Sequence, residues 1–128
     1  MCNNERFFIC KHCGNFVGTL KYSGAKMICC GQPMSEVEAN TEDAATEKHI
    51  PVVSVSDNIV TVTVGSVIHP MTDAHYIDWI YIQTKQGVQR KCLAIDGEPI
   101  TTFALTDGDE VVSAYAYCNL HGLWKIDL

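Results

Sequence analysis

From Ile50 onward the chain alternates. In "NIVTVTV", Val60, Val62 and Val64 fall on one side and Thr61 and Thr63 on the other, the period of a half-buried β-strand. The runs "YIDWIYIQT", "RKCLAI", "ITTFALT" and "VVSAYAY" are apolar or β-branched and of strand length, and "LWKIDL" makes a short last strand. Between them "KQG", "DGEP" and "DGDE" supply turn residues. Strands separated by turns at intervals of roughly 8 to 12 residues predict an antiparallel β-sandwich, with an immunoglobulin-like architecture. Cys92, inside "RKCLAI", is expected to be buried and to act as a small apolar side chain.

No such alternation precedes Ile50. Residues 1–36 carry Cys10, Cys13, Cys29 and Cys30 among Gly14, Gly18, Gly24 and Gly31, with too little apolar surface to form a core, so a bound metal is what would hold them. The stretch "SEVEANTEDAATEKH" follows, in which Glu36, Glu38, Glu42, Asp43 and Glu47 leave no sustained apolar face. It reads as a connector with a turn of helix near Asp43 to Ala45. The expected organisation is a small lobe over 1–36, a connector over 37–46 and a β-domain over 47–128.

Composition narrows the function classes. The 128 residues are 47% hydrophobic and 19% charged, a globular balance, and the net charge of −6 argues against nucleic acid, which is bound through clusters of lysine and arginine. "MCNNERFFIC" lacks the basic and apolar regions of a signal peptide, and no apolar run approaches the ~20 residues of a membrane span, so a soluble cytoplasmic protein without a membrane partner is expected. Seven cysteines, an odd number, in a reducing compartment point to metal ligands rather than a disulfide framework.

Two constellations carry the chemistry. Cys10-x-x-Cys13-Gly14 has the knuckle spacing that wraps one metal, and Cys29-Cys30 adds two sulfurs, making a closed tetrahedral site for zinc or iron. Spacing alone leaves that choice open. Adjacent residues point different ways, so the Cys29–Cys30 pair should distort the tetrahedron at one angle. His12, inside the knuckle, is expected at the surface, since four sulfurs already fill the shell, and Cys2 is expected to do nothing chemical.

The remaining histidines, His49, His69, His75 and His121, all fall outside the clearest strand patterns, in "EKHIP", "IHPMTDAHY" and "CNLHG", beside the C-x-x-H of Cys118 and His121. That confinement to loops of a β-domain points to a shared metal site. Four such ligands suit zinc. Four imidazoles and one thiolate leave one vertex of an octahedron open, and that composition favours iron.

With both constellations in view the sequence resembles desulfoferrodoxin, the two-iron form of superoxide reductase, over nearly its whole length. "CKHCGNFVGTL" and "MICCGQPM" are similar to the desulforedoxin-type lobe, and "EKHIP", "HPMTDAHYIDWI" and "YCNLHGLW" to the three segments that build the family's catalytic iron site. The resemblance implies two iron ions. Cys10, Cys13, Cys29 and Cys30 would hold the first, rubredoxin-like iron. His49, His69, His75 and His121 would form the equatorial plane of the second, with Cys118 axial and Glu47 and Lys48 beside the open sixth position. It further implies one-electron reduction of superoxide to hydrogen peroxide without dismutation, a rubredoxin-type electron donor, a homodimer, and a role in the oxidative-stress defence of an anaerobe.

For Glu47, Lys48 and His49 all to face one iron, "EKH" must be a loop, because strand neighbours alternate faces; Pro51 agrees with that. The rival readings are a non-catalytic electron-transfer protein of rubredoxin type and an oxygenase with a structural zinc in its first site. Four histidines leave the oxygenase too few open positions for both oxygen and a substrate.

Overall fold

The computed structural model describes residues 5–128, so Cys2 lies outside the described residues. By its own contacts the chain divides after Glu38 into two compact units.

The first unit is built from very short strands. β1 (Phe7–Ile9) lies between β2 (Phe16–Gly18) and β5 (Ser35–Val37), all antiparallel, and β3 (Ile28–Cys29) pairs with β4 (Gln32–Pro33) as a separate two-residue hairpin. Ser35–Val37, at the head of the stretch read as connector, is thus a strand, recruited by pairing with β1. Each β-hairpin reaches its turn at the cysteines. Cys10 leaves β1 into a turn closed by Gly14 N–H on the Cys10 carbonyl (2.8 Å), and Cys29 ends β3. Cys30 and Gly31 then turn the chain with φ of 53° and 74°, left-handed values that a glycine adopts freely and Cys30 adopts because the turn is so tight.

The second unit is the expected sandwich. After α1 (Thr46–His49) come β6 (Pro51–Ser56), β7 (Ile59–Val64), β8 (Ile77–Thr84), β9 (Val88–Cys92), β10 (Ile100–Ala104), β11 (Val111–Cys118) and β12 (Gly122–Asp127). They form two antiparallel sheets, ordered β10-β7-β6 and β12-β11-β8-β9, an immunoglobulin-like arrangement. Alternation places Val60, Val62 and Val64 of one sheet against Ile80, Ile82, Ala114 and Ala116 of the other, with Phe103 completing the core. Cys118 continues the inward series of β11 and is fully buried. The pairing slips between Tyr117 and Cys118, so Ile77, out of step with Ile80 and Ile82, also faces the core. The strand thus delivers a sulfur to the end of the hydrophobic core.

Three further details differ from the sequence reading. β6 was not among the predicted strands; Pro51 is tolerated as the first residue of an edge strand, and only Pro51 of β6 is buried, which leaves little alternation to read. Cys92 is exposed rather than buried, because it is the last residue of the outermost strand β9, where almost every side chain faces solvent. And "EKH" is not a loop: it lies in the single helical turn α1, one step later than the turn expected at Asp43 to Ala45. Tertiary contacts fix that turn, as the Glu47 carbonyl accepts Val67 N–H (2.9 Å) and the Ser66 hydroxyl (3.2 Å).

Candidate metal centres

In the small unit the four cysteine sulfurs all lie within 4.8 Å of one another. Cys10 is buried, Cys29 half-buried, and Cys13 and Cys30 exposed, so the cluster opens on one side; His12 is exposed. The Cys13 and Cys29 sulfurs approach to 3.6 Å, and the Asn15 amide donates to Cys29 (3.6 Å). Backbone N–H groups at Cys13 and His12 pull the Cys10 thiol down to about 6, while hydrogen bonding with Cys13 and burial push Cys30 up to about 12. The Cys10 sulfur ionises readily and Cys29 and Cys30 then resist, as expected where thiols crowd together. A divalent or trivalent ion bound to sulfur removes that conflict.

The second cluster assembles from three places in the sandwich. His49 closes α1, His69 and His75 come from the loop between β7 and β8, Cys118 ends β11, and His121 lies in the turn from β11 to β12. The four imidazoles form a near-square. Going round, ring centroids are 4.7 Å apart for His49–His69, 4.5 Å for His69–His75, 5.0 Å for His75–His121 and 4.9 Å for His121–His49. Neighbouring rings are nearly perpendicular, from 73° to 87°, whereas His49 and His75 stand opposite at 6.3 Å and 34°. The donor atoms of His49, His75, Cys118 and His121 lie within 4.8 Å of one another, and His69 Nε2 joins at 3.2 Å from His49 Nε2.

The hydrogen bonds decide which nitrogens point inward. His49 Nδ1 donates to the Ala45 carbonyl and His69 Nδ1 to the Pro70 carbonyl, both at 2.7 Å. A carbonyl only accepts, so both rings are held as Nδ1–H tautomers with a bare Nε2 lone pair facing the centre. Two such lone pairs at 3.2 Å repel unless a cation lies between them. His121 Nδ1 faces His49 Nε2 at 3.1 Å, and Cys118 Sγ lies 3.9 Å from His121 Nδ1. Among the described residues, His75 Nε2 is the buried side-chain nitrogen or oxygen with no hydrogen-bond partner. Nitrogens at adjacent vertices around one ion, each about 2.1 Å away, stand about 3.0 Å apart, close to the two observed separations. The donor set therefore fits a metal ion.

Other residues hold the ligands in place. Trp124, buried, stacks on His49 at 4.9 Å and donates its indole N–H to the His121 carbonyl (3.0 Å). Gly65 lies so close to α1 that a Cβ there would stand 2.7 Å from the Glu47 carbonyl oxygen and 3.1 Å from the Lys48 carbonyl carbon. Neither residue stood out in the sequence; a glycine directly after the alternating "VTVTV" run is the one signal that could have marked Gly65. Glu47 and Lys48 are exposed.

Burial is the main cause lowering His49, His69 and His75, with the neighbouring imidazoles adding to it; the Lys48 charge lowers His49 and His75 further. Burial raises the Cys118 thiol, against N–H groups of Leu120 and His121 that lower it. His69 falls to about 4 from an ordinary 6.5. A histidine depressed in the folded chain contributes stability that is present above its unfolded pKa and lost as the pH drops toward its folded one. In metal-free protein the urea midpoint should therefore fall as pH is lowered from 6.5 toward 4. A flat midpoint over that window would contradict the buried, neutral state described for these rings.

Residues 41–127 match the family described as Desulfoferrodoxin, and residues 2–37 match Desulfoferrodoxin, N-terminal domain. The chain is 45% identical to a desulfoferrodoxin homolog of Archaeoglobus fulgidus over 91% of each chain, and 42% identical to the desulfoferrodoxin of Nitratidesulfovibrio vulgaris over 99% of each. Among solved structures, the superoxide reductase from Treponema pallidum superposes with a TM-score of 0.85 at 41% identity, covering 99% of this chain and 100% of the other.

Proposed function

Because the chain belongs to the desulfoferrodoxin family, we infer that it is a superoxide reductase carrying two iron ions, reducing superoxide by one electron to hydrogen peroxide without dismutation. The observation that carries this reading is the square of four imidazoles with a buried thiol beside it, a donor set that favours iron with one position left open.

We assign Cys10, Cys13, Cys29 and Cys30 to the first iron, and His49, His69, His75, His121 and Cys118 to the second. In support are the mutual approach of the four sulfurs, the two bare Nε2 lone pairs set by the Ala45 and Pro70 carbonyls, and the unpartnered His75 Nε2. The proposed organisation is an iron lobe over 1–36, a connector over 37–46 and a catalytic domain over 47–128. When bound, the second iron supplies the electron and an open coordination position for the anion.

The chain's own residues do the rest. Lys48 is exposed on α1, and its charge is felt at His49 and His75, so it provides a local positive focus at the ring cluster. The acidic remainder of the molecule is screened beyond about 8 Å at physiological salt, so the local charge decides capture of a small anion. Lys48 can also hold the proton that the departing peroxide takes up, directly or through a water. Glu47, its neighbour on the same turn, is proposed as an oxygen ligand of the oxidised resting state rather than a catalyst. The His49 and His69 tautomers are locked, so these rings ligate and take no part in proton transfer.

We extend the proposal to a rubredoxin-type electron donor, a homodimer and a cytoplasmic setting in an anaerobe. Among the described residues no helix is long and apolar enough to cross a membrane.

Metal content, capture kinetics and spectra test the reading. Anaerobically purified protein should contain two irons per chain, the second of which reacts with a pulse of superoxide. Lys48→Ile should slow that capture by about tenfold at low salt and flatten its salt dependence, while Glu47→Ala should alter mainly the spectrum of the oxidised protein. Capture unchanged by Lys48→Ile would remove Lys48 from the mechanism.

A further inference from the structure

Of the four residues in "CNLH", Cys118 and His121 are used as ligands, and Leu120 is exposed. Asn119 makes three hydrogen bonds to the main chain of a loop more than forty residues away. Its Oδ1 accepts Tyr76 N–H (2.8 Å), its Nδ2 donates to the Ala74 carbonyl (3.1 Å), and its own N–H donates to the Tyr76 carbonyl (3.2 Å). Ala74 and Tyr76 are the two neighbours of His75, so a single side chain grips the backbone on both sides of one ring.

The other hydrogen bonds of the turn around His75 are local. Thr72 N–H donates to the His75 carbonyl (2.9 Å), and His75 N–H donates to the Thr72 carbonyl (3.2 Å) and to Thr72 Oγ1 (3.1 Å), closing the turn on itself. Among the described residues its ring meets no carbonyl acceptor like those that hold Nδ1 of His49 and His69, and its Nε2 has no partner. The direction of the His75 ring therefore depends on where its backbone is placed.

The geometry points to Asn119 as a positioning residue of the second centre: it couples the turn bearing Cys118 and His121 to the loop bearing His75, and so fixes the spacing of three donor atoms. This rests on the functional reading above, which makes those side chains the ligands. It is a mechanical role, exerted through backbone position, and Asn119 itself touches neither metal nor substrate. Asparagine suits it because one planar amide offers both the acceptor for Tyr76 and the donor for Ala74.

The test compares three variants in otherwise intact protein. Asn119→Ala removes both side-chain bonds. Asn119→Asp keeps the acceptor and loses the donor. Asn40→Ala removes an equivalent pair, since Asn40 Oδ1 accepts Lys125 N–H (2.9 Å) and Asn40 Nδ2 donates to the Lys125 carbonyl (3.1 Å), on a strand segment that bears no ligand. Affinity of the second centre for ferrous iron is read by anaerobic chelator competition, together with the sulfur-to-iron absorption band of that centre and the urea midpoint.

Asn119→Ala should bind the second iron about 10- to 100-fold more weakly, the usual scale for an outer residue that orients ligands. Its band should shift, its first centre should be unchanged, and its urea midpoint should resemble that of Asn40→Ala. Asn119→Asp should fall between Asn119→Ala and the parent protein. The inference is overturned if Asn119→Ala holds the second iron as tightly as the parent, or if Asn40→Ala loses as much affinity. Parent protein that takes up no second iron would instead overturn the functional reading itself.

Discussion

Replacing Cys118 by serine should cost the second centre its iron, or at least about a hundredfold in iron affinity, and lower superoxide reduction by at least the same factor. The argument is local. Cys118 is the last residue of β11, fully buried at the end of the sandwich core, with its sulfur 3.9 Å from His121 Nδ1. Serine fits the same volume and can accept the same backbone N–H groups of Leu120 and His121, so the strand should survive. What is lost is a soft anionic donor. Burial already raises the thiol, and a hydroxyl in that place stays protonated throughout the working pH range. The first centre lies in the other unit with its own four sulfurs, so its colour should persist. Iron counted per chain and the yield after a superoxide pulse check both halves; a Cys118→Ser protein that keeps two irons and full turnover would contradict the ligand assignment.

The second large effect is expected on structure rather than turnover. The small unit has strands of two or three residues, and within it Phe7, Phe8 and Cys10 are the buried hydrophobic side chains among those described. Such a stretch cannot offset the entropy of ordering its backbone by burial alone. Metal bound to cysteine supplies about 10–16 kcal/mol in comparable small domains, enough to make folding and metal binding one event. Cys10→Ser removes the most buried sulfur, the one whose thiol is drawn down to about 6 and which accepts Cys13 N–H (3.5 Å). Amide exchange over β1, β2 and β5 should rise toward unprotected rates, while β7, β8 and β11 remain protected. Superoxide reduction by a second centre reduced beforehand should persist. Retained protection in the lobe would show that its packing, rather than its metal, holds it.

The legible parts of this chain were those governed by a short period or a fixed spacing. Val60, Val62 and Val64 announced β7, the runs from Ile77 and Val111 announced β8 and β11, and Cys10-x-x-Cys13 with Cys29-Cys30 announced a sulfur cluster. What was hidden depends on neighbours distant in sequence. β6 has little burial alternation because it lies at a sheet edge, and Cys92 was misjudged because β9 is the outermost strand, a position its own composition does not reveal. "EKH" coils into α1 because Val67 and Ser66 capture the Glu47 carbonyl, contacts spanning about twenty residues. Within the site, the ligand types were readable, but Trp124 behind His49, Gly65 beneath α1 and Asn119 astride His75 act through packing and main-chain bonds. Asn119 and Trp124 lie within "YCNLHGLW", but nothing in that stretch tells which distant backbone or ring they hold.

A balance of products tests the central claim most directly. Anaerobically reduced protein is exposed to a known superoxide flux with an electron donor present, and oxygen and hydrogen peroxide are measured together. Reduction consumes one electron and two protons per superoxide, so the account predicts one peroxide for each superoxide consumed and no oxygen released. Peroxide at half that yield with an equal amount of oxygen would identify a dismutase, and no acceleration of superoxide loss would leave only an electron carrier.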